Sequence, residues 1–315
     1  MAGFLTLCLT PTFQRTLRFP KVERGEVNRS NEYRLDASGK GINVTRVLQQ
    51  LGFEATHLTH LGGAGRESFL ALASADGIVV DWVESESEIR TCYTVLDDAD
   101  RSTTELVEEA APVGAGTEER LMTRYLELLS DHHTVIISGA KSAGYSKAIL
   151  PWLVKEAKEA GLRVIADFRG PDLEAALEHR PDLIKPNLSE FAATFLAPHR
   201  SSPFGPQRAK AVSEETTSTD LKESAKQKMR EIADEGTAVV LTRGGKPTLF
   251  AFPGGVTGEV SPIEIEPLNT IGCGDAFTAG FAAEWVESGE LDAALEKGHV
   301  CASMNASLFR PGVIR

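Results

Sequence analysis

The chain has no CxxC pair, no excess of basic residues, no long apolar run near its start and no segment that repeats at a fixed period. Each absence excludes a class of protein. Its four cysteines, at 8, 92, 273 and 301, are far apart, and two of them lie in apolar strand-like or helical contexts, so neither a zinc framework nor a disulfide framework is expected. With 33 Lys+Arg against 45 Asp+Glu the net charge is −12, which denies nucleic acid and anionic membrane the basic face they need in a main partner. The opening residues Met1 to Leu9 carry neither a basic n-region nor an apolar run long enough for a signal peptide or a span. The expectation is a cytoplasmic protein in a reducing compartment.

What is present is ordinary for a soluble globular chain: 315 residues, 42% hydrophobic and 25% charged, enough for one large domain over 1–315 with an appendage. Short apolar segments at 4–9, 55–61, 134–138, 162–167, 182–185 and 237–242 read as strands. Between them, 42–51, 118–129, 147–160 and 221–233 place apolar residues at helical spacing. This alternation predicts an α/β fold with a mostly parallel central sheet and helices on both faces. Residues 12–36 and 88–110 break the pattern, being rich in charged and β-branched residues, and predict a separate small sheet acting as a lid, a dimerisation surface, or both. The Ser/Thr/Pro-rich stretch 198–220 predicts a flexible surface loop.

The run Asn269-Thr270-Ile271-Gly272-Cys273-Gly274-Asp275-Ala276-Phe277-Thr278-Ala279-Gly280 carries the most chemistry. Gly272, Cys273 and Gly274 leave backbone N–H groups uncovered where a helix begins, and the positive end of that helix joins them in an anion hole. Asp275 sits at its mouth. A carboxylate there can take the proton of an attacking hydroxyl while the N–H groups stabilise charge on a transferring phosphoryl group. The plainer alternative is a helix start with a tight turn and an acid in its first turn. A dinucleotide fingerprint does not fit, because Phe277 stands where its third glycine belongs.

Two more segments have two readings each. Ser38-Gly39-Lys40-Gly41-Ile42-Asn43-Val44 is a glycine-rich turn entering a helix: Gly39 permits close approach of a ligand, Asn43 can bond hydroxyls and Lys40 can meet a phosphate. It reads equally as a plain turn. In Asp182-Leu183-Ile184-Lys185-Pro186-Asn187-Leu188-Ser189-Glu190, Asn187 and Glu190 suit a water-held Mg²⁺ beside nucleotide phosphates, or a capping box with Asn187 as the cap.

Gly-Glu-Val-Asn-Arg (25–29), Gly-Lys-Gly-Ile-Asn-Val (39–44), Asp-Leu-Ile-Lys-Pro-Asn (182–187) and Asn-Thr-Ile-Gly-Cys-Gly-Asp (269–275) occur in an order that resembles the PfkB branch of the ribokinase-like sugar kinases over nearly the whole chain. The likeness is strongest to the 1-phosphofructokinase and tagatose-6-phosphate kinase group. It implies a ribokinase-like three-layer α/β/α core with a β lid, dimerisation through the lids, ATP as donor and Mg²⁺ as metal. By the same resemblance Asp275 is the catalytic base and Gly272, Cys273 and Gly274 form the anion hole, with Cys in place of the usual Ala. Lys185, Asn187, Thr242 and Gly244 border the nucleotide, and Asn187 with Glu190 organises Mg²⁺. On the acceptor side stand Gly39, Lys40, Asn43, Arg90 and, from the lid, Arg29.

Departures from the family pattern bear on the acceptor. Gln14 replaces an Asp that binds sugar hydroxyls, Ala140 replaces a phosphate-binding Ser with Lys141 as a candidate substitute, and Glu108-Glu109 stand at the lid end. Arg243 replaces an apolar residue, to touch a phosphate or to face solvent. The leading expectation is ATP-dependent phosphorylation of a ketohexose monophosphate, namely fructose 1-phosphate, tagatose 6-phosphate or fructose 6-phosphate. The alternatives are a kinase of an unphosphorylated sugar or other small alcohol, and a catalytically silent binder of nucleotide and sugar.

Overall fold

The computed structural model describes residues 3–196 and 218–315. Along the chain run β1 (Phe4–Leu9), β2 (Thr12–Phe19), β3 (Glu32–Ser38), α1 (Lys40–Gln50), β4 (Ala55–Gly62), α2 (Arg66–Ala75), β5 (Val79–Ser85), β6 (Arg90–Asp97) and β7 (Ser102–Val107). There follow α3 (Thr117–Leu129), β8 (Thr134–Lys141), α4 (Ile149–Glu159), β9 (Arg163–Asp167), α5 (Pro171–Leu177), β10 (Leu183–Ile184) and α6 (Leu188–Phe191), which continues into a π-helical turn, Ala192–Leu196. The last elements are α7 (Ser218–Asp234), β11 (Ala238–Arg243), β12 (Lys246–Phe252), β13 (Val256–Val260), α8 (Cys273–Ser288) and α9 (Leu291–Ala306).

A nine-stranded sheet has the order β13-β12-β11-β10-β9-β8-β1-β4-β5. It is parallel from β5 to β11, and the β11-β12-β13 meander adds an antiparallel edge. The central strands are apolar at nearly every position because both of their faces are covered. In β1, Leu5, Leu7 and Leu9 enter a core shared with α3, α4, α5 and α7, while Phe4 enters a second core with α1, α8 and α9. The expected three-layer α/β/α arrangement is therefore observed.

The second sheet has the order β3-β2-β6-β7, with β2 parallel to β6 and antiparallel to β3. Its strands fall within 12–38 and 90–107. Strand alternation gives it one face bearing Gln14, Thr16, Cys92 and Thr94, all buried, and another bearing Leu17, Tyr33, Tyr93, Val95 and Leu106. Tyr33 and Leu106 on the second face are well exposed.

Element ends shift by a few residues from those the periodicity predicts: α1 begins at Lys40 where apolar spacing marks 42–51, and the strand expected over 182–185 is only Leu183–Ile184. Of the expected loop 198–220, residues 198–217 lie outside the described residues, and 218–220 open α7. Among the described residues no helix is long and apolar enough to cross a membrane.

The first turn of α1 presses on β1. A Cβ added at Gly41 would lie 2.7 Å from His57 Cε1 and 2.9 Å from the Leu7 carbonyl oxygen. The His57 ring cannot yield easily, since it is buried and bonded to Thr6 Oγ1 at 2.9 Å. Gly41→Ala should therefore lower the unfolding free energy by about 1–3 kcal/mol, read as a shifted urea midpoint at unchanged slope.

Candidate active site

The C-terminal ends of β1, β8, β9 and β10 meet the first turns of α1 and α8, where strand ends and helix starts in a parallel sheet converge. Gly272 caps α8 at φ 81°. No other residue fits there, because the conformation is left-handed and a Cβ would lie 2.6 Å from the Gly312 nitrogen. The first N–H groups of α8 have no partner within the helix and face the same opening.

Two buried asparagines hold this turn. Asn269 accepts from the Ile271 N–H at 3.0 Å and donates to the Phe309 carbonyl at 2.9 Å. Asn305 donates to the Ile271 carbonyl at 2.9 Å and accepts from the Gly312 N–H at 2.7 Å. Cys273 receives a bond from Asn305 Nδ2 at 3.4 Å, and burial pushes its thiol up to about 11, so it is a small neutral group in the first turn of α8.

Asp275, in the first turn of α8, is 6% exposed and accepts a hydrogen bond from Asn43 Nδ2 at 2.8 Å. Burial pushes its carboxyl up to about 6, against the pull of Lys40 and the Asn43 bond. Beside it lies Asp167, also buried, between Lys40 Nζ at 3.6 Å and Lys185 Nζ at 3.3 Å. Burial alone would raise the Asp167 carboxyl, but Lys185 and then Lys40 outweigh it and hold it below the usual range. Asp167 in turn, opposed by desolvation, holds the Lys40 ammonium above its ordinary value. Lys185 also lies near the first turn of α8, its Nζ 3.8 Å from where a Cβ on Gly274 would stand.

Lys40, Asn43, Lys185, Gly272, Cys273, Gly274 and Asp275 thus come together, and Gly39, at φ 114°, brings the backbone into α1 beside them. Asp167, Arg46 and Asn305 join them, though none stood out from the sequence, as does Asn269, the first residue of the glycine-marked run. Of the nucleotide candidates, Thr242 pairs with Asn187 in an isolated parallel bridge and Gly244 turns at φ 61°. Arg243 Nη1 donates to the Pro247 carbonyl at 3.2 Å, while its buried Nε has no partner among the described residues.

Asn187 and Glu190 form a complete capping box: Asn187 Oδ1 accepts from the Glu190 N–H at 2.9 Å, and Glu190 Oε2 from the Asn187 N–H at 3.1 Å. Among the described residues no group of three or more His, Cys, Asp or Glu could by itself hold a metal. That suits Mg²⁺, which keeps several waters and comes with nucleotide phosphates instead of entering an all-protein cage. Glu190 lies close enough to help raise Lys40, so one carboxylate is in place to hold such an ion through water.

The remaining acceptor candidates are less free than the sequence suggests. Gln14 is buried, donating to Thr94 Oγ1 at 2.7 Å and the Cys92 carbonyl at 3.3 Å. Arg90 donates to Thr12 Oγ1 at 2.9 Å and the Glu108 carbonyl at 3.2 Å. The Glu108 carboxylate caps the Thr91 N–H at 2.7 Å. Lys141 forms an ion pair with Asp172, and Arg29 is exposed in the connection between β2 and β3.

Because the folded state raises the Asp275 pKa, this group favours folding only when protonated: its contribution is full below pH 3.8 and lost as pH rises through about 6. Asp275→Asn removes a cost on the order of 2–3 kcal/mol at pH 8. The variant should be more stable than the parent at pH 8, and the gap should narrow at pH 5. Urea unfolding at the two pH values measures it; a gap that widens towards acid contradicts the assigned shift.

The sequence pattern of the pfkB family of carbohydrate kinases matches residues 12–312. The fold is similar to the tetrameric inhibited form of phosphofructokinase-2 from Escherichia coli, at 25% identity and a TM-score of 0.80, covering 97% of this chain and 94% of that one. It is also similar to a possible 1-phosphofructokinase from Thermotoga maritima, at 21% identity and a TM-score of 0.82 over 98% and 93% of the two chains. Arabidopsis thaliana ribokinase complexed with ribose and ATP superposes at 18% identity and a TM-score of 0.71, over 99% and 94%. The family implies ATP use, generally with Mg²⁺, and an alcohol group as acceptor. The match over 12–312, on a core with this sheet order, shows that the chain belongs to the pfkB family of carbohydrate kinases.

Proposed function

We propose that this chain transfers the γ-phosphoryl group of ATP to a hydroxyl of a ketohexose monophosphate, yielding a bisphosphate, with Asp275 as the base. The observation that supports this most is the buried Asp275, raised to about 6, in the first turn of α8 beside unpaired N–H groups and two lysines. A base of that strength is ionised at neutral pH and still accepts a proton well. The acceptor O–H bond breaks as its proton passes to Asp275, a new O–P bond forms at the γ-phosphorus, and the bond to the bridging oxygen breaks to release ADP. The N–H groups of 272–275 and the Lys40 and Lys185 charges stabilise the transferring oxygens.

Lys185, Asn187, Thr242 and Gly244 border the nucleotide in this reading. Mg²⁺, held through water by Glu190 with Asn187 beside it, would neutralise phosphate charge. Gly39, Lys40 and Asn43 face the acceptor, and Gln14, Arg90 and Arg29 contribute from the small sheet, which acts as a lid and excludes water. The apolar face of that sheet, with Leu17, Tyr33, Tyr93, Val95 and Leu106, supports a homodimer formed lid to lid. The likeness to a phosphofructokinase at 25% identity supports a phosphorylated acceptor. Four free thiols, Cys8, Cys92 and Cys301 buried among them, support a reducing, cytoplasmic setting.

One observation favours an uncharged acceptor instead. Lys141, the candidate substitute for the lost serine contact, is already neutralised by Asp172. ADP release from Mg²⁺-ATP should therefore be measured with fructose 1-phosphate, fructose 6-phosphate, tagatose 6-phosphate and the matching free sugars. Turnover on a phosphosugar, cut by at least about a thousandfold in Asp275→Asn with nucleotide affinity kept, is the expected result. Turnover on free sugars alone rejects the phosphosugar reading, and binding of both ligands without ADP release rejects catalysis.

A further inference from the structure

Asn43 is held from three sides. Its Nδ2 donates to Asp275 Oδ2 at 2.8 Å, while its Oδ1 accepts from Arg46 Nη1 at 2.9 Å and from Ser38 Oγ at 3.2 Å. Gly312 closes the third side, where a Cβ would lie 2.7 Å from Asn43 Oδ1. A side-chain amide turns end for end with little change of shape, so its direction is set by its partners. Here the guanidinium decides it: the reversed amide would aim N–H groups at Arg46 and put an oxygen against the Asp275 carboxylate.

Arg46 is 3% exposed, one turn further along α1. Its Nε donates to Asp76 Oδ2 at 3.0 Å and its Nη2 to the Ala37 carbonyl at 2.6 Å. Asp76 caps the C-terminus of α2 and also binds Arg310, which reaches Asp36 Oδ1 at 2.8 Å; Arg34 holds the same oxygen at 2.7 Å. The guanidinium is thereby anchored by α2, β3 and the C-terminal segment, and its three donor directions are all in use. Burying such a charge is costly, and a lysine presents its donors from a single point that cannot serve all three acceptors.

We propose that Arg46 is a positioning residue for phosphoryl transfer: it fixes the Asn43 amide so that Nδ2 occupies Asp275 Oδ2 and leaves the other carboxylate oxygen for the acceptor hydroxyl. This rests on Asp275 being the base. Arg46 touches neither substrate nor reacting atoms; it acts through Asn43.

The test compares Arg46→Lys, Asn43→Ala and the double variant with the parent protein, using the best acceptor of the panel above. Arg46→Lys should lower kcat about 10- to 100-fold while the KM for ATP stays within about twofold. It should also move the titration midpoint of Asp275 upward, because a donor to its charged form is loosened. That midpoint is read without acceptor, from the pH dependence of the stability gap that Asp275→Asn opens in each background. The other groups facing Asp275, namely Lys40 on α1, Asp167 at the end of β9 and Lys185 after β10, are unchanged throughout.

In the Asn43→Ala background Arg46→Lys should cost less than about a further twofold in kcat, since the path through Asn43 is already cut. Effects that multiply in the double variant, or a folded Arg46→Lys with kcat and midpoint unchanged while Asp275→Asn is dead, overturn the proposal alone. Turnover that survives Asp275→Asn overturns the base reading and the proposal with it. If Arg46→Lys does not fold, Arg310→Lys loosens the same network from its outer end. A kcat drop of about threefold with a raised midpoint then supports the proposal, and no change in either overturns it.

Discussion

The hydrogen bond from Asn43 Nδ2 to Asp275 Oδ2 joins the first turns of α1 and α8, and much of the surrounding architecture serves to keep that junction in place. The glycine at 41 lets α1 sit close on β1, and the glycine at 272 lets the α8 turn pass against the C-terminal segment. Asn269 and Asn305 stitch the turn to residues 306–313 by backbone-directed bonds, which hold geometry without adding charge. A carboxylate kept out of water tolerates little slack, because each lost partner leaves a buried charge uncompensated.

The charges are balanced in a graded way. Asp167 is shared by Lys40 and Lys185, while Asp275 has one side-chain donor, Asn43, among the described residues and is raised by burial. The two buried acids are thus driven in opposite directions, one held ionised by its lysines and the other raised by desolvation. Opposed environments for neighbouring acids are what a site needs to give two carboxylates different protonation behaviour, and they are the physical basis on which Asp275 is proposed as the base.

The core was legible in the sequence because parallel strands covered on both faces, such as Phe4–Leu9 and Arg163–Asp167, stand out as apolar runs between helical patterns. The β12-β13 edge was not, since Val256–Val260 is largely exposed and carries no periodic signal. Lys40, Asn43 and Asp275 could be found because each lies in a glycine-marked local string. Asp167, Arg46, Asn305 and Arg310 lie in no such string and gain their places only through partners distant in sequence. The converse holds for Lys141: the sequence displays a cation, and only the fold shows that Asp172 already pairs with it. At Asn187 and Glu190 the capping box is fully formed, so the short helix accounts for the spacing without a metal.

The Asn43 to Asp275 contact spans 232 residues, and the glycine that seals Asn43 comes later still, at 312. A chain emerging from the ribosome has completed β1, β4 and β8 well before α8, yet Asn43 and Asp275 cannot meet until α8 and the segment after it have docked. Unfinished or partly folded copies therefore hold the acid and the amide apart, and the buried pair exists only in the completed fold.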